Sequence, residues 1–238
     1  MNMPKSIAIV AAHPDDEVLG CGATMAKHVA AGDRVHVLIL AEGATSRDEH
    51  RNEALRAAEI AALKEAAREA ARLLGVAVTE FGGFPDNRMD TVDFLDVVKR
   101  VECFMQSVIP DAVYTHHRGD MNLDHCITQR AVATALRPLP GQCFATLLEF
   151  EVPSSTEWAA AATSQPFVPN WFEDVSGFLA TKIAALEIYA SEMRSFPHPR
   201  SREGVEALAR VRGSTVGVPA AEAFVLGWQV NRLKPSHG

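Results

Sequence analysis

Residues 9–24, "IVAAHPDDEVLGCGAT", pass from an apolar run into a His-Pro pair, three consecutive acids and two glycines. An Ile/Val/Ala run stopped by Pro reads as a buried strand, and the "ATMAKHVAAG" behind it as the helix that follows. The same unit recurs outward along the chain. "RVHVLIL", "VAVTEF", "DAVYTH" and "CFATLLEF" are further strand candidates. Between them lie a long Ala/Glu/Arg helix over Glu53–Leu74, a helix near "VDFLDVVKRVECFMQSV" and one beginning near "LDHCITQRAVATAL". Gly32 and Gly75 follow the first two helices, where left-handed cap residues belong. Strands alternating with helices predict an α/β chain, with a Rossmann-like, mostly parallel sheet flanked by helices.

A chain of 238 residues, 47% of them hydrophobic, suits one domain. We expect the sheet core in residues 1–150, with a covering segment and C-terminal helices in 151–238. "EVPSSTEWAAAATSQPFVPNWFED" is too apolar for a disordered linker, "VSGFLATKIAALEIYASEM" is helical, and "SFPHPRS" is a turn before a last helix. The net charge of −7, without any Lys/Arg-rich run, argues against nucleic acid or an anionic membrane as partner. Cys21, Cys103, Cys126 and Cys143 lack CxxC spacing, so neither a disulfide framework nor a thiolate zinc site is expected. The first apolar run is too short for a membrane span and is broken by acids, which predicts a cytoplasmic protein.

Ligands of open α/β sheets bind beyond the carboxyl ends of the strands. The loops there are "HPDDE", "AEGATSR", "FGGFPDNRMD" and "THHRGDMNLDH", which gather His, Asp, Glu, Arg and Asn on one rim. "GCGATM", with Glu42 about 20 residues on, loosely imitates a dinucleotide fingerprint. Its third glycine is missing, and Asp15, Asp16 and Glu17 would repel a pyrophosphate; Gly20 and Gly22 then serve close packing. Carboxylates mixed with imidazole suit a divalent cation instead. His13 and Asp16 are three apart at a strand-to-helix bend stiffened by Pro14, and His125 can approach from a neighbouring loop. Two His and one carboxylate with an open fourth position is the composition of a hydrolytic zinc site.

"AHPDDEVLGCGATMAKHVAAGDRVHVLILAEGATSR", with "NLDH" downstream, resembles the LmbE-like or PIG-L family of zinc-dependent N-deacetylases, as do "FPDNRMDT", "PSSTEW" and "AEAF". The resemblance implies hydrolysis of an acetamide on an N-acetylglucosamine-like sugar or conjugate, such as a nucleotide sugar, a glycosylated natural product or a thiol precursor. It implies His13, Asp16 and His125 as ligands of zinc or another divalent cation, and Asp15 as the general base. One position departs from the family pattern: where many members have His, three residues before the last ligand, stands Asn122. Its amide can donate to an oxyanion but cannot titrate. His116, His117 and His198 are candidates to replace the missing imidazole, His116 as a catalytic residue and the other two toward substrate. Arg47, Asp86 and Arg88 are candidates for binding sugar hydroxyls or an anionic group, with loop salt bridges as the alternative. Glu17 and Asp124 would orient the ligands or cap helices. Arg212 and Glu222 are candidate lid or subunit contacts; Trp158 and Trp171 could stack on a sugar or simply pack. Apolar late segments and the family's habits point to a homo-oligomer. The competing readings are a zinc amidase acting on a non-sugar amide and a non-catalytic ligand-binding member of the fold.

Overall fold

The apolar runs pair side by side in the computed structural model, which describes residues 3–138, 146–159 and 165–230. Strands β1 (Ser6–Ala11), β2 (Arg34–Ala41), β3 (Val78–Phe84), β4 (Ala112–His116) and β5 (Thr146–Phe150) lie parallel in the order β3-β2-β1-β4-β5. Helices α1 (Asp16–Ala30), α2 (Glu53–Leu74), α3 (Phe94–Val108) and α4 (Leu123–Ala135) connect them, α2 over the range that its composition predicts.

Successive side chains of a strand point to opposite faces, and a sheet covered on both sides needs apolar residues at every position. β1 obeys this: Ile7 and Ile9 pack with Met25, Ala67 and Leu186 on one side, Ala8 and Val10 with Val97, Phe104 and Val132 on the other. Helix ends are satisfied locally. Asn52 and Asp93 accept from the Leu55 and Leu95 amides, and Gly75, at φ 76°, closes α2 in the left-handed region that glycine adopts without a Cβ clash.

The covering region departs from expectation. Besides α5 (Leu179–Ile188) and α6 (Arg202–Val216), it contributes β6 (Trp171–Asp174) and β7 (Ala221–Trp228), two antiparallel strands that extend the same sheet from β5. "AEAFVLGW" mixes Ala, Glu and Gly without strict alternation, so its strand character comes from pairing with β5, about 75 residues earlier, and not from propensity. Cys21, Cys103 and Cys126 are free thiols, while Cys143 lies outside the described residues. Among the described residues no helix is long and apolar enough to cross a membrane.

The strand order reverses between β1 and β4, whose neighbours run off in opposite directions. Such a switch point opens a crevice beyond the carboxyl ends of the two strands. "HPDDE" and "THHRGDMNLDH" leave β1 and β4 into it.

Candidate metal centre and its cleft

The turn after β1 is made by Asp15, which takes φ 107° and ψ −29°. A residue with a Cβ pays about 1–3 kcal/mol for such a backbone and keeps it only where surroundings demand it. The turn brings the Asp16 carboxylate under its own loop, where Oδ2 lies 2.9 Å from the His13 amide and 3.2 Å from His13 Nδ1. His125, in the first turn of α4, brings Nε2 to 3.2 Å from the same oxygen. One ligand atom from each of His13, Asp16 and His125 falls within 4.8 Å of the others.

Two observations show that this group fits a divalent cation. Among the described residues Asp16 Oδ1 and His125 Nε2 are buried with no hydrogen-bond partner, a costly state for polar atoms unless something else occupies their lone pairs. Each imidazole also has a carboxylate behind its other nitrogen, the arrangement that orients metal-binding histidines. His13 Nε2 lies 3.1 Å from Asp124 Oδ2 and 3.3 Å from Asp86 Oδ1, while His125 Nδ1 lies 3.1 Å from Asp120 Oδ1. A second grouping, His13 with Asp86 and Asp124, is as compact but shares His13, and its carboxylates are already engaged. Asp124 accepts from the Asn87 and Met89 amides, Asp86 from the Ser46 amide.

Three neighbouring acids sit in three environments. Burial would raise the Asp16 carboxyl, but His125 and His13 outweigh it and hold the group well below the carboxylate range. Burial raises Asp15 well above that range; Arg200 opposes the shift, and Asp16 and Glu17 add to it. Glu17 is raised to about 7, again by burial, although it accepts from the Tyr189 hydroxyl at 2.6 Å. Burial works against the His125 imidazolium, but Asp16 and Asp120 outweigh it and raise the ring to about 9. A cation therefore competes with protons for this imidazole, and its affinity rises with pH.

Above the group lies an open polar cleft bordered by His13, Asp15, Arg47, Asn122, Glu192 and Arg200. Arg200 Nη1 donates to Asp15 Oδ2 at 2.8 Å, and its Nε is held by Ser154 Oγ at 2.7 Å. Arg47 reaches the cleft ion-paired to Glu59 and, at 2.8 Å, to Glu192.

Asn122 borders the cleft, yet its Oδ1 caps α4 by accepting from the Asp124 amide at 2.9 Å, and its Nδ2 donates to Asn87 Oδ1 at 2.8 Å. The cap is thus Asn122 and not Asp124, whose Oδ2 lies against His13 Nε2 instead. His116 is no candidate donor to the cleft. It is fully buried at the end of β4, its ring is stacked 3.9 Å from His125, and its Nε2 accepts the Ala12 amide at 2.8 Å. Burial and the neighbouring His125 hold it neutral, well below the usual imidazole range. His117 is also turned aside, toward Glu149 Oε2 at 3.1 Å and the Gln165 carbonyl at 3.0 Å. His198 accepts the Arg200 amide at 3.1 Å and meets Trp158 edge-on, so it shapes the loop that carries Arg200. Arg88 donates to the Glu49 carbonyl at 3.1 Å, away from the cleft lining.

Glu222 is no lid residue: it is buried against Lys182. Arg212 forms a two-pronged pair with Glu151 at 2.7 and 2.6 Å, and Trp171 belongs to β6. Glu42, which a dinucleotide site would use on a ribose, accepts instead from Thr45 Oγ1 and the Asp86 amide.

Sequence reasoning missed Asp120, Arg200 and Glu192. Asp120 carried a signal, an acid five residues before a candidate ligand; burial raises its carboxyl, but bonds from His125, Ser155 and Thr156 outweigh this and hold it far below the usual range. Arg200 and Glu192 carried none, being ordinary charges in a turn.

The family described as PIG-L, GlcNAc-PI de-N-acetylase, matches residues 8–136. The chain is 29% identical over 196 residues to the uncharacterized deacetylase YaiS of Escherichia coli K12, covering 80% of this chain and 93% of that one. It is 27% identical over 246 residues to a 1D-myo-inositol 2-acetamido-2-deoxy-alpha-D-glucopyranoside deacetylase of Mycolicibacterium vanbaalenii, covering 82% and 83%. Among solved structures it is similar to GalB, the 4-carboxy-2-hydroxymuconate hydratase of Pseudomonas putida KT2440, at 24% identity and TM-score 0.75, covering 98% of this chain and all of that one. At that identity the likeness speaks for the fold alone.

Proposed function

The chain belongs to the PIG-L family, and on that premise we propose that it is a metal-dependent N-deacetylase, hydrolysing the acetamido group of an N-acetylated sugar or sugar conjugate. The observation that carries this reading is the His13, Asp16 and His125 group with its unpartnered buried atoms, set directly beside a buried carboxyl, Asp15, on the floor of a polar cleft.

Zinc is the ion this donor set suits best; when bound it would acidify a water and polarise the scissile carbonyl. The chain's own residues do the rest. Asp15, adjacent in sequence to a ligand but outside the ligand group, is placed to take the proton of the attacking water and return it to the leaving amine. Arg200 fixes the carboxylate orientation for that transfer through Nη1 and the Ser154 anchor. Arg200 is the cleft-border donor we assign to a developing oxyanion, ahead of the Asn122 amide, which already donates to Asn87. Asp124 and Asp120 hold the two imidazoles in the tautomers that turn His13 Nδ1 and His125 Nε2 toward Asp16. A cleft rich in Arg, Asn and Asp, with little apolar lining, suits a hydroxylated substrate.

Metal analysis of the purified protein, joined to acetate release from N-acetylated sugars, nucleotide sugars and non-sugar acetamides, tests the reading. Near-stoichiometric divalent metal and acetate release from sugar acetamides are expected. Release from non-sugar amides alone would move the protein to a general amidase, and metal-free protein that releases acetate would end the metal-dependent reading.

A further inference from the structure

Helix α1 is broken five residues in. Cys21 has φ −149° and ψ 27°, outside the helical region, so the helix is two segments joined across a kink. A continuous helix would pair the Ala23 amide with the Leu19 carbonyl. Here each of these groups has a partner in one ion pair drawn from two distant elements. Lys182 Nζ, from α5, donates to the Leu19 carbonyl at 2.7 Å. Glu222, from β7, accepts from the Ala23 and Thr24 amides at 3.2 and 2.6 Å. The two side chains meet at 2.6 Å, each only 5% exposed. Gly20 and Gly22 make the room. A Cβ on Gly20 would stand 2.3 Å from the Phe150 ring, and one on Gly22 would stand 2.8 Å from Val18 and 3.3 Å from the Lys182 stem.

The attraction between the two charges does not by itself account for this pair, because apolar side chains of similar volume commonly serve a core as well as a buried ion pair or better. What a charged pair does that apolar residues cannot is satisfy backbone groups on both sides of the break at once. The first segment starts at Asp16 and carries Glu17, so its tilt sets where these carboxylates stand after β1.

We propose that Lys182 and Glu222 are positioning residues for the metal-binding turn: bridging the break, they fix the tilt of the first segment of α1 and so hold Asp16 in reach of His13 and His125. The inference rests on the metal-site reading given above.

The full-length, metal-free protein carrying Lys182→Met and Glu222→Leu together tests it, with zinc titration calorimetry and hydrogen exchange of the α1 amides as readouts. Cooperative unfolding is expected to survive, with zinc affinity weakened by about 10- to 100-fold. Faster exchange should reach from Ala23 and Thr24 back into the first segment. A folded double variant with zinc affinity within about twofold of wild type, and faster exchange confined to Ala23 and Thr24, would make the pair a local cap and overturn the proposal. Should the double variant not fold, Glu222→Gln keeps the shape and one acceptor; about tenfold weaker zinc binding is expected, and unchanged affinity overturns the proposal. If the wild type itself takes up no divalent ion, the metal reading fails, while the exchange pattern still decides whether the pair orders the first segment.

Discussion

The cleft has a floor and a wall that are built in opposite ways. The floor comes from the turns after β1 and β4, each paired first within itself, His13 with Asp16 and Asp120 with Asn122 and His125, before the two turns meet at His13–Asp124 and His125–Asp16. The wall comes from residues 189–200, whose contacts span most of the chain. Tyr189 reaches Glu17 across 172 residues, and Arg200 reaches Asp15 across 185. The floor supplies the chemical groups and the imidazoles that face Asp16, and the wall supplies the partners of the other two acids. Asp16 faces imidazoles, Asp15 faces a guanidinium, and Glu17 faces a phenol. Environments that separate the protonation of neighbouring groups are how one site obtains both an acid and a base.

Breaking the floor should have the largest effect. His125→Ala removes a candidate ligand, so metal content by elemental analysis should fall toward zero and hydrolysis should become undetectable. Asp15→Asn should retain metal while kcat falls by about 10²- to 10⁴-fold; full activity in this variant would remove Asp15 from the role of base. Breaking the wall comes next. Arg200→Met leaves Asp15 buried without its cation, and loss of one partner of a buried pair costs about 3–5 kcal/mol. The partial exposure of the Arg200 side chain, 22%, brings the expectation to the lower end or below, read as a drop in thermal midpoint. Metal content should not change.

A subtler contrast lies in pH. Glu17 is raised from 4.5 to about 7 in the folded protein, so the folded state favours its protonated form. Its contribution is full below the unfolded value near 4.5 and is lost as pH rises through about 7. The thermal midpoint of the metal-free protein should therefore fall between pH 5 and pH 8 (roughly the span bracketing that titration) more steeply in the wild type than in Glu17→Gln. Asn122→Ala should have the smallest effect, a loss of about 1 kcal/mol for the α4 cap. Its kcat should change by less than about tenfold; a larger loss in a folded, metal-loaded variant would assign the oxyanion to Asn122.

The sheet core and the floor were legible because their signals are local. A buried parallel strand is an apolar run, a helix has a 3.6-residue period, and the turn at His13–Asp16 holds two of the candidate ligands within four residues. The same locality misled at His116 and His117. Adjacent histidines in a polar loop read as site residues, but one ends a strand and turns under the floor, while the other turns to Glu149. Glu222, a charge in an apolar late segment, read as a surface contact because nothing near it in sequence announces Lys182.

By itself the sequence determined the α/β alternation and the rim that carries the polar loops, because apolar runs and loop composition are local signals; the candidate ligands and base follow from the family resemblance of "HPDDE" and "NLDH". Only the tertiary structure decided that β6 and β7 extend the sheet, that Asp120 stands behind His125, and that Arg200 meets Asp15. Those contacts follow from how distant elements pack, and a side chain's burial and charge partners exist only once that packing has formed.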